Sequence, residues 1–341
     1  MTELLEQLLG GRDLGESQAT ALMKALASGE LEPALAGALL AALRLKGESA
    51  EEVRGFSRAL RELARRPEVE RGEGLVDVVG TGGDGSGSFN ISTGTALLAA
   101  ACSLRVVKHG NRAVSSRSGS ADLLEALGLR LPLDAAAAGR CLEQAGFTFL
   151  FAPWYHPAMR SVVPIRRAMG VRTVFNILGP LVNPAEPDFA LVGAWSPEVA
   201  RLMAQCLAGD TSLRRAFVVH GEPGWDEATP CGEFLLLDVR PGVVSERRCD
   251  PLDWGLARCR PEDLAGGDSQ ANAAALERVF DGETGAHRDA LVLGAALVLE
   301  LTGRENDGRS AVARAAEAID SGAARRVLAR LRAFAAGKSG P

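Results

Sequence analysis

From residue 75 onward, short apolar segments alternate with helical ones, and this order constrains the fold more than any other feature of the sequence. The apolar segments have strand length and are rich in Val, Leu and Phe. They comprise residues 75–79, 104–107, 147–151, 189–194, 216–219 and 234–239. Because parallel neighbours are joined by long crossovers, usually helices, the alternation predicts an α/β fold with a mostly parallel central sheet flanked by helices.

The chain before residue 70 carries helical signals only. Ala, Leu and Glu recur at helical spacing in residues 2–9, 16–28, 32–45 and 49–65. Ser49 and Glu52 form a capping box, which predicts where the fourth helix begins. We therefore expect a small all-helical domain over residues 1–70 and a larger α/β domain over residues 71–341.

Two later stretches are also predicted to be helical. Residues 155–184 contain two helical segments and no convincing strand, and we expect part of this stretch to pack onto the helical domain. Residues 310–336 form a closing helical segment, followed by a short polar tail.

The composition excludes several classes of function. The net charge is −5, so no basic field favours a nucleic-acid or membrane-surface partner. The longest apolar stretches, such as residues 290–299, fall short of the roughly 20 residues that a membrane-spanning helix needs. The start Met1-Thr2-Glu3 lacks the basic and apolar character of a signal peptide. We expect a cytoplasmic protein.

The cysteines do not indicate a metal site. The chain has six cysteines without a Cys-x-x-Cys pair and four histidines without His-x-x-x-His spacing. This scatter argues against structural zinc and predicts buried, reduced thiols.

A glycine-rich loop follows the first predicted strand, over residues 80–88. Gly80, Gly82 and Gly85 match the spacing of the dinucleotide-binding fingerprint, so a dehydrogenase must be considered. However, the polar loop continues to residue 90 instead of opening a helix. The next strand also ends in Lys108-His109, where a dinucleotide site needs an acidic residue for the ribose. A cation at this point suits phosphate better.

The segment Asn90-Ile91-Ser92-Thr93 precedes a predicted helix over residues 94–102. Ser and Thr are common helix caps, and the glycine-rich loop alone could be a flexible turn. A helix start also offers free N–H groups and the positive end of the helix dipole to an anion. Loop and helix start together predict a polyphosphate cradle.

A basic loop over residues 108–122 follows the second predicted strand. It combines cations, small residues and four serines, which suits a phosphate monoester, although a solvated turn is the alternative. Lys108 is predicted at the mouth of a strand, where the carboxyl ends of a parallel sheet bind ligands.

These three blocks, residues 80–84, 90–93 and 108–122, resemble the signature blocks of the anthranilate phosphoribosyltransferase family, in the same order. Further similar blocks are residues 45–48 and 175–184, and Gly266-Gly267-Asp268 with Asn272, so that the resemblance covers essentially the whole chain. The sequence departs from the family pattern at Ser88, at Cys231-Gly232-Glu233 and at Gly294.

The resemblance implies transfer of the 5-phosphoribosyl group from phosphoribosyl pyrophosphate to the amine of anthranilate, in tryptophan biosynthesis. The products are N-(5-phosphoribosyl)anthranilate and pyrophosphate, and the reaction depends on Mg²⁺, with two ions per subunit. The resemblance also implies a homodimer. Because the lone pair of the anthranilate amine is already free, we assign no residue as a general acid or base.

The resemblance also implies residue roles. The donor-binding residues would be Gly80, Gly83, Asp84, Ser88, Asn90, Ile91, Ser92, Thr93, Lys108, His109, Gly110, Asn111, Arg112, Ala113, Val114, Ser115, Ser116 and Ser120. The anthranilate-binding residues would be Gly80, Asn111, His156, Arg166 and Gly179, and the metal ligands Ser92, Asp226 and Glu227. Arginine offers a two-pronged donor for the anthranilate carboxylate, and Mg²⁺ typically takes one or two protein carboxylates.

Each role has a plainer alternative. An adjacent acidic pair such as Asp226-Glu227 is commonly just solvated, and Arg166, like its neighbour Arg167, could be a surface helix residue. Two other functions also remain. A nucleoside phosphorylase of the same fold should lack the block 108–111, and a homologue without catalysis should have lost the acidic pair or the glycine-rich loop.

Overall fold

The structure, a computed structural model, describes residues 1–71, 74–113 and 117–337. The chain begins with the helices α1 (Thr2–Leu9), α2 (Glu16–Ser28), α3 (Pro33–Lys46) and α4 (Ala50–Glu62). The predicted capping box is present at α4, where Glu52 N donates to Ser49 Oγ at 3.2 Å and Ser49 N to Glu52 Oε2 at 2.8 Å. Glu52 is fully buried and also accepts from Leu14 N at 2.8 Å, so this carboxylate ties α4 to the segment that precedes α2.

A seven-stranded sheet follows in the described part of the chain, with the order β3-β2-β1-β4-β5-β6-β7. Its strands are β1 (Leu75–Gly80), β2 (Arg105–Gly110), β3 (Phe147–Phe151), β4 (Phe189–Gly193), β5 (Arg215–Gly221), β6 (Phe234–Arg240) and β7 (Val243–Cys249). The first five strands are parallel to one another, whereas β6 and β7 pair antiparallel. The predicted mostly parallel sheet is thus confirmed.

The strand β7 was not predicted from the sequence. Six of its seven residues are exposed, because it lies at the edge of the sheet and is held by its pairing with β6. Its sequence, VVSERRC, lacks the apolar pattern of a buried strand. Burial patterns therefore could not reveal it.

The remaining helices cover the sheet and lead into its loops. They are α5 (Ile91–Ala101), α6 (Ser120–Ala126), α7 (Ala135–Ala145), α8 (Ala152–Tyr155), α9 (Val162–Met169), α10 (Phe175–Leu178), α11 (Pro197–Ala208), α12 (Ser269–Phe280), α13 (Ala286–Leu301), α14 (Gly308–Asp320) and α15 (Ala323–Ala335). The closing segment over residues 310–336, which was predicted to be helical, contains the two helices α14 and α15, separated by Ser321 and Gly322. Within the described ranges, no helix is both long and apolar enough to cross a membrane.

Each face of the sheet carries its own hydrophobic cluster. On one face, Val78 of β1 packs with α5 and α13 in a cluster that includes Leu97 and Leu297. On the other face, Val192 of β4 belongs to a cluster with Met203 of α11 and with the N-terminal helices. The sheet is therefore buried on both sides, as expected for parallel strands.

The segment around α9 and α10 packs onto the N-terminal helices. The helix α9 packs against α3, and α10 packs against α4. The rings of Phe56 in α4 and Phe175 in α10 meet edge to face, with centroids 6.1 Å apart. Arg166 lies on α9. The helical unit, formed by α1 to α4 together with α9 and α10, therefore lies beside the predicted acceptor side of the site.

The departure at Gly294 has a packing explanation. Gly294 lies in α13 against Thr95 of α5, and a Cβ on Gly294 would lie 2.3 Å from Thr95 Oγ1 and 2.8 Å from its Cγ2. Thr95 is buried and fills the space that a larger residue at position 294 would need. This close approach fixes α5, whose first turn belongs to the predicted phosphate cradle.

We predict that Gly294→Asn lowers the free energy of unfolding, measured by urea titration, by about 1–3 kcal/mol through overpacking. The double variant Gly294→Asn/Thr95→Ala lacks the two nearest clashing atoms and should regain most of this loss. A Gly294→Asn single variant as stable as the parent would show that α5 and α13 do not pack as described.

Candidate functional site

The loops at the carboxyl ends of β1, β4 and β5 converge on Asp226 and Glu227. Both carboxylates lie between β5 and β6, in a loop that folds back on itself through a hydrogen bond from Gly221 N to Trp225 O at 3.0 Å. A Cβ on Gly193, at the end of β4, would lie only 1.6 Å from Asp226 O. The acidic loop can cross the sheet edge this closely because a glycine stands there.

Asp226 binds the glycine-rich loop directly. Its Oδ2 accepts from Gly82 N at 2.6 Å and from Thr81 Oγ1 at 3.4 Å. Its own backbone N donates to Asp84 Oδ2 at 3.3 Å. The glycine-rich loop and the acidic loop therefore form one structural unit.

Glu227 binds the first turn of α5. Its Oε1 accepts from Ser92 N at 3.1 Å, at the end of the helix where the dipole favours negative charge. Lys108 Nζ donates to Ser92 Oγ at 3.3 Å and to the Val78 carbonyl. Ser92 thus lies between an acidic and a basic side chain.

The charges at this point do not balance. Burial, with repulsion from Asp84, raises the pKa of Asp226 to about 7. Burial and the neighbouring Asp226 raise the pKa of Glu227 well above its usual value. Burial lowers the pKa of Lys108, although Asp77 and the acidic pair oppose that change. A bound cation would stabilise the ionised form of carboxyl groups that are buried in this way.

The donor set suits a magnesium ion that is shared with a phosphorylated ligand. In the described ranges of the chain, no cluster of three or more His, Cys, Asp or Glu side chains could hold a metal by itself. Mg²⁺ usually takes one or two carboxylates and completes its shell with phosphate oxygens and water. Asp226, Glu227 and Ser92 fit that pattern, with the Ser92 backbone N donating to Glu227 and the Ser92 hydroxyl accepting from Lys108.

The helix α5 begins at Ile91, three residues before the predicted start at residue 94. Ile91 and Thr93 are buried, so their side chains face the core and only Ser92 is partly exposed. The Asn90 side chain does not cap the helix. It donates to Ser118 O at 3.0 Å and accepts from Asn272 Nδ2 at 2.8 Å, joining three segments of the chain.

The structure corrects the position of Lys108. The strand β2 continues to Gly110, so Lys108 lies inside the strand opposite Phe149 and not at its mouth. The side chain is 1 % exposed. Burial of this ammonium is tolerated because the Val78 carbonyl, Ser92 Oγ and the nearby carboxylates receive it.

Sequence reasoning missed the buried pair Asp77 and Asn183. Asn183 Nδ2 donates to Asp77 Oδ2 at 2.8 Å and to Val107 O at 2.7 Å. His109 N donates to Asp77 Oδ1 at 3.2 Å, and burial raises the pKa of Asp77 to about 6. An aspartate inside the apolar strand LVDVVG was the available signal, since a buried charge needs partners.

Arg172 was also missed. Its guanidinium donates to Gly83 O and lies over the Trp195 ring, 4.7 Å from the centroid. Arg44 of α3 donates to the Arg172 carbonyl. Arg172 therefore links the glycine-rich loop to the helical unit, and only its place beside the block 175–184 marked it in the sequence.

The far end of the glycine-rich loop is anchored as well. Ser88 forms a bridge with Ala265, Phe89 N donates to Leu264 O at 2.9 Å, and Gly266 N donates to Gly87 O at 2.9 Å. Serine at position 88 holds this contact through its backbone, so the departure from the family pattern does not disturb it.

The basic loop is only partly within the described residues, and the predicted residues Val114, Ser115 and Ser116 lie outside them. Asn111 is exposed, while Ala113 N donates to Asp122 Oδ2 at 2.9 Å. The Arg112 guanidinium pairs with Asp122 at 3.1 Å and with Glu125. The loop is thus held by acidic side chains of α6, which begins at Ser120.

His109, which was predicted on the donor side, instead contacts two of the predicted acceptor residues, His156 and Gly179. His109 Nδ1 lies 3.1 Å from Gly179 O, and the rings of His109 and His156 are 5.1 Å apart. Burial lowers the pKa of His109 to about 3 and that of His156 to about 4, so both imidazoles are neutral near pH 7. Arg166 lies over Phe175, 5.4 Å from the ring centroid, and burial lowers its pKa.

Comparison with known proteins gives a consistent assignment. The glycosyl transferase family helical bundle domain matches residues 2–64, and the glycosyl transferase family a/b domain matches residues 72–325. The anthranilate phosphoribosyltransferase of Desulforudis audaxviator is 47 % identical over 97 % of this chain and 95 % of its own length.

Two solved structures extend the similarity to three dimensions. The crystal structure of anthranilate phosphoribosyltransferase from Thermus thermophilus has a TM-score of 0.90 and 44 % identity, covering 98 % of this chain and 99 % of that one. The Saccharomyces cerevisiae enzyme in complex with PRPP and Mg has a TM-score of 0.84 and 26 % identity, covering 94 % and 93 %. This chain therefore belongs to the anthranilate phosphoribosyltransferase family.

Proposed function

We propose that this chain transfers the 5-phosphoribosyl group of phosphoribosyl pyrophosphate to the amine of anthranilate, with Mg²⁺, in tryptophan biosynthesis. The products are N-(5-phosphoribosyl)anthranilate and pyrophosphate. The observation that carries the proposal is the direct bonding of Asp226 to the glycine-rich loop and of Glu227 to Ser92. The full-length similarity to anthranilate phosphoribosyltransferases supports the same reaction.

The chemical problem is the charge that develops as pyrophosphate leaves and the anomeric carbon becomes electron-poor. No protein nucleophile is needed, but the negative charge of the leaving group must be stabilised. We assign this task to N–H groups of the glycine-rich loop over residues 80–88 and of the first turn of α5. Two of them, Gly82 N and Ser92 N, donate to Asp226 and Glu227 in this structure. Bound Mg²⁺ would neutralise pyrophosphate oxygens, with Ser92, Asp226 and Glu227 as its protein ligands.

Lys108 has a double role in this proposal. Its ammonium offsets the charge of Glu227 and Asp226, and it orients Ser92 through the hydrogen bond to Oγ. We assign it to the donor side, with Gly83, Asp84, Ser88, Asn90 and the basic loop through Ser116 and Ser120.

The acceptor side is assigned to α9 and the turn at Gly179. The Arg166 guanidinium would bind the anthranilate carboxylate, and Asn111 and the Gly80 backbone would meet the amine. We move His109 from the donor side to the acceptor side, because it contacts Gly179 and His156. Both imidazoles are buried and neutral, so they suit the lining of an aromatic acceptor better than proton transfer. We assign no acid or base, because the amine lone pair is free to attack.

The proposal includes features that only the resemblance implies. These are two Mg²⁺ ions per subunit and a homodimer. The proposal further includes a cytoplasmic location without nucleic-acid or membrane partners and the division into residues 1–70 and 71–341, which the sequence patterns predict. The direct test of the reaction mixes the protein with anthranilate, phosphoribosyl pyrophosphate and Mg²⁺ and follows anthranilate fluorescence. We expect the fluorescence to fall, and a flat trace beside an active control enzyme would refute the proposal.

We predict that Asp226→Asn/Glu227→Gln loses most turnover at ordinary Mg²⁺ concentrations yet folds normally. In the absence of ligands the double variant should melt at or above the temperature of the parent, because two buried carboxylates with raised pKa values no longer ionise. Because the pKa of Asp226 is raised to about 7, the folded parent keeps this carboxyl group protonated at pH values at which the unfolded chain has already ionised it. The parent therefore loses stability as pH rises through this range, and the melting-temperature advantage of the double variant should grow from pH 5 to pH 8. Parent-like turnover with unchanged Mg²⁺ dependence would refute the ligand assignment.

We predict that Arg166→Ala raises the KM for anthranilate about ten- to a hundred-and-fifty-fold, since a hydrogen bond to a charged group contributes about 1.5–3 kcal/mol. The KM for phosphoribosyl pyrophosphate should change far less. Lys108→Met, which keeps the side-chain volume, should show the opposite preference. Arg167→Ala is the matched control, because Arg167 is an exposed neighbour on the same helix. Steady-state kinetics with each substrate varied in turn measure both KM values. If Arg166→Ala and Lys108→Met mainly raise the KM for the same substrate, the division into a donor side and an acceptor side is contradicted.

A further inference from the structure

Two of the six cysteines differ from the others in their surroundings. Cys102, Cys141, Cys206 and Cys249 are buried, as expected from the sequence, but Cys231 and Cys259 are partly exposed. The Sγ atoms of Cys231 and Cys259 are 3.6 Å apart, and neither cysteine is oxidised. The expectation of buried thiols is therefore wrong for this pair, and Cys231 stands where the sequence departs from its family.

The two backbones already approach each other closely. Cys259 N donates to Pro230 O at 3.3 Å, one residue before Cys231. A disulfide needs two Cα atoms about 4.4–6.8 Å apart, and a direct backbone hydrogen bond between the two segments suits that separation. Only a small movement of the side chains separates the dithiol from a bonded pair.

An oxidant can reach the pair from one side. Cys259 lines a cavity of about 390 Å³ together with Arg258, His287 and Arg288. Arg258 and Arg288 share this lining with Asp263, Glu283 and Asp289, and they are already paired with Asp250 and Asp320. The cavity therefore admits a small disulfide such as oxidised glutathione by its size and not by its charge. The four other thiols are buried and lack this access.

The pair connects the two loops of the donor side. Cys231 lies four residues after Glu227 in the acidic loop, and Cys259 lies five residues before Leu264. Leu264 O accepts from Phe89 N at 2.9 Å and so anchors the end of the glycine-rich loop. A covalent link between Cys231 and Cys259 would join the acidic loop to the anchor of the glycine-rich loop.

We propose that Cys231 and Cys259 form a reversible disulfide that controls the geometry of the donor site. One thiolate attacks oxidised glutathione, forming a mixed disulfide and releasing glutathione, and the second thiolate then displaces the other glutathione. Each thiol loses one proton, and the pair gives two electrons to the oxidant. A reductant reverses both steps, as is usual for redox-sensing disulfides in a reducing cell.

The rate of oxidation should depend on pH. Burial and the neighbouring Cys231 raise the pKa of the Cys259 thiol to about 12, so its thiolate is scarce at neutral pH. Because the thiolate is the reactive form, we expect the disulfide to form slowly at pH 7 and faster at pH 9.

The effect on catalysis rests on the proposed function, whereas formation of the bond does not. A disulfide draws the sulfur atoms from 3.6 Å to about 2.05 Å and replaces a non-covalent contact between the two loops with a covalent link, which restrains their movement when the donor binds. Because Asp226, Glu227 and the glycine-rich loop share this unit, the oxidised protein should bind phosphoribosyl pyrophosphate less well.

The first test is chemical. The full chain is incubated with oxidised glutathione and then digested without reduction. We expect a mass loss of two hydrogen atoms, a peptide pair joined through Cys231 and Cys259, and full reversal by dithiothreitol. The variants Cys231→Ser and Cys259→Ser should not form this link, while Cys249→Ser should. A lasting glutathione adduct, another pairing or no reaction even at pH 9 would overturn the proposal, whatever the activity of the protein.

The second test is kinetic and uses the oxidised and reduced forms of the parent. We expect oxidation to raise the KM for phosphoribosyl pyrophosphate severalfold, with little change for anthranilate, and reduction to restore it. Cys231→Ser should not respond to the oxidant. If the disulfide forms and the KM values stay the same, the bond exists but the link to the donor site is refuted.

Discussion

The placement of buried charge at the carboxyl ends of the parallel strands is the constraint on which the site depends. Lys108 lies within β2 and reaches Ser92, while Glu227 approaches the same residue from the acidic loop. A buried ammonium and a buried carboxylate are each costly alone, and together with the amides of α5 they compensate in part. What remains is an excess of negative charge, which a divalent cation can neutralise.

The rest of the fold holds this arrangement in place. The sheet is buried on both faces, so the strand ends are fixed and the loops that leave them have little freedom. Close packing of α5 on α13 positions the helix start, and Arg172 ties the glycine-rich loop to the helical unit. The donor and acceptor sides are thus parts of one framework, with His109 of β2 facing Gly179 on the acceptor side.

Much of this organisation could be predicted from the sequence because it follows from local patterns. The apolar segments marked six of the seven strands, and the capping box marked the start of α4. The edge strand β7 escaped because its stability comes from pairing and not from burial. Lys108 was predicted too near the end of its strand, since that end is set by pairing with β3 and not by polarity. The contacts of Asp77 with Asn183 and of Cys231 with Cys259 join distant positions, which no local pattern shows.

The central claim is that the acidic pair and the glycine-rich loop make one shared site for magnesium and the donor. Isothermal titration calorimetry can measure Mg²⁺ binding with and without phosphoribosyl pyrophosphate, in the parent and in Glu227→Gln. Because the described part of the protein offers too few ligands by itself, the account predicts weak Mg²⁺ binding alone, much tighter binding with the donor, and loss of that coupling in Glu227→Gln. Equal Mg²⁺ affinity with and without the donor, or coupling unchanged in the variant, would contradict it.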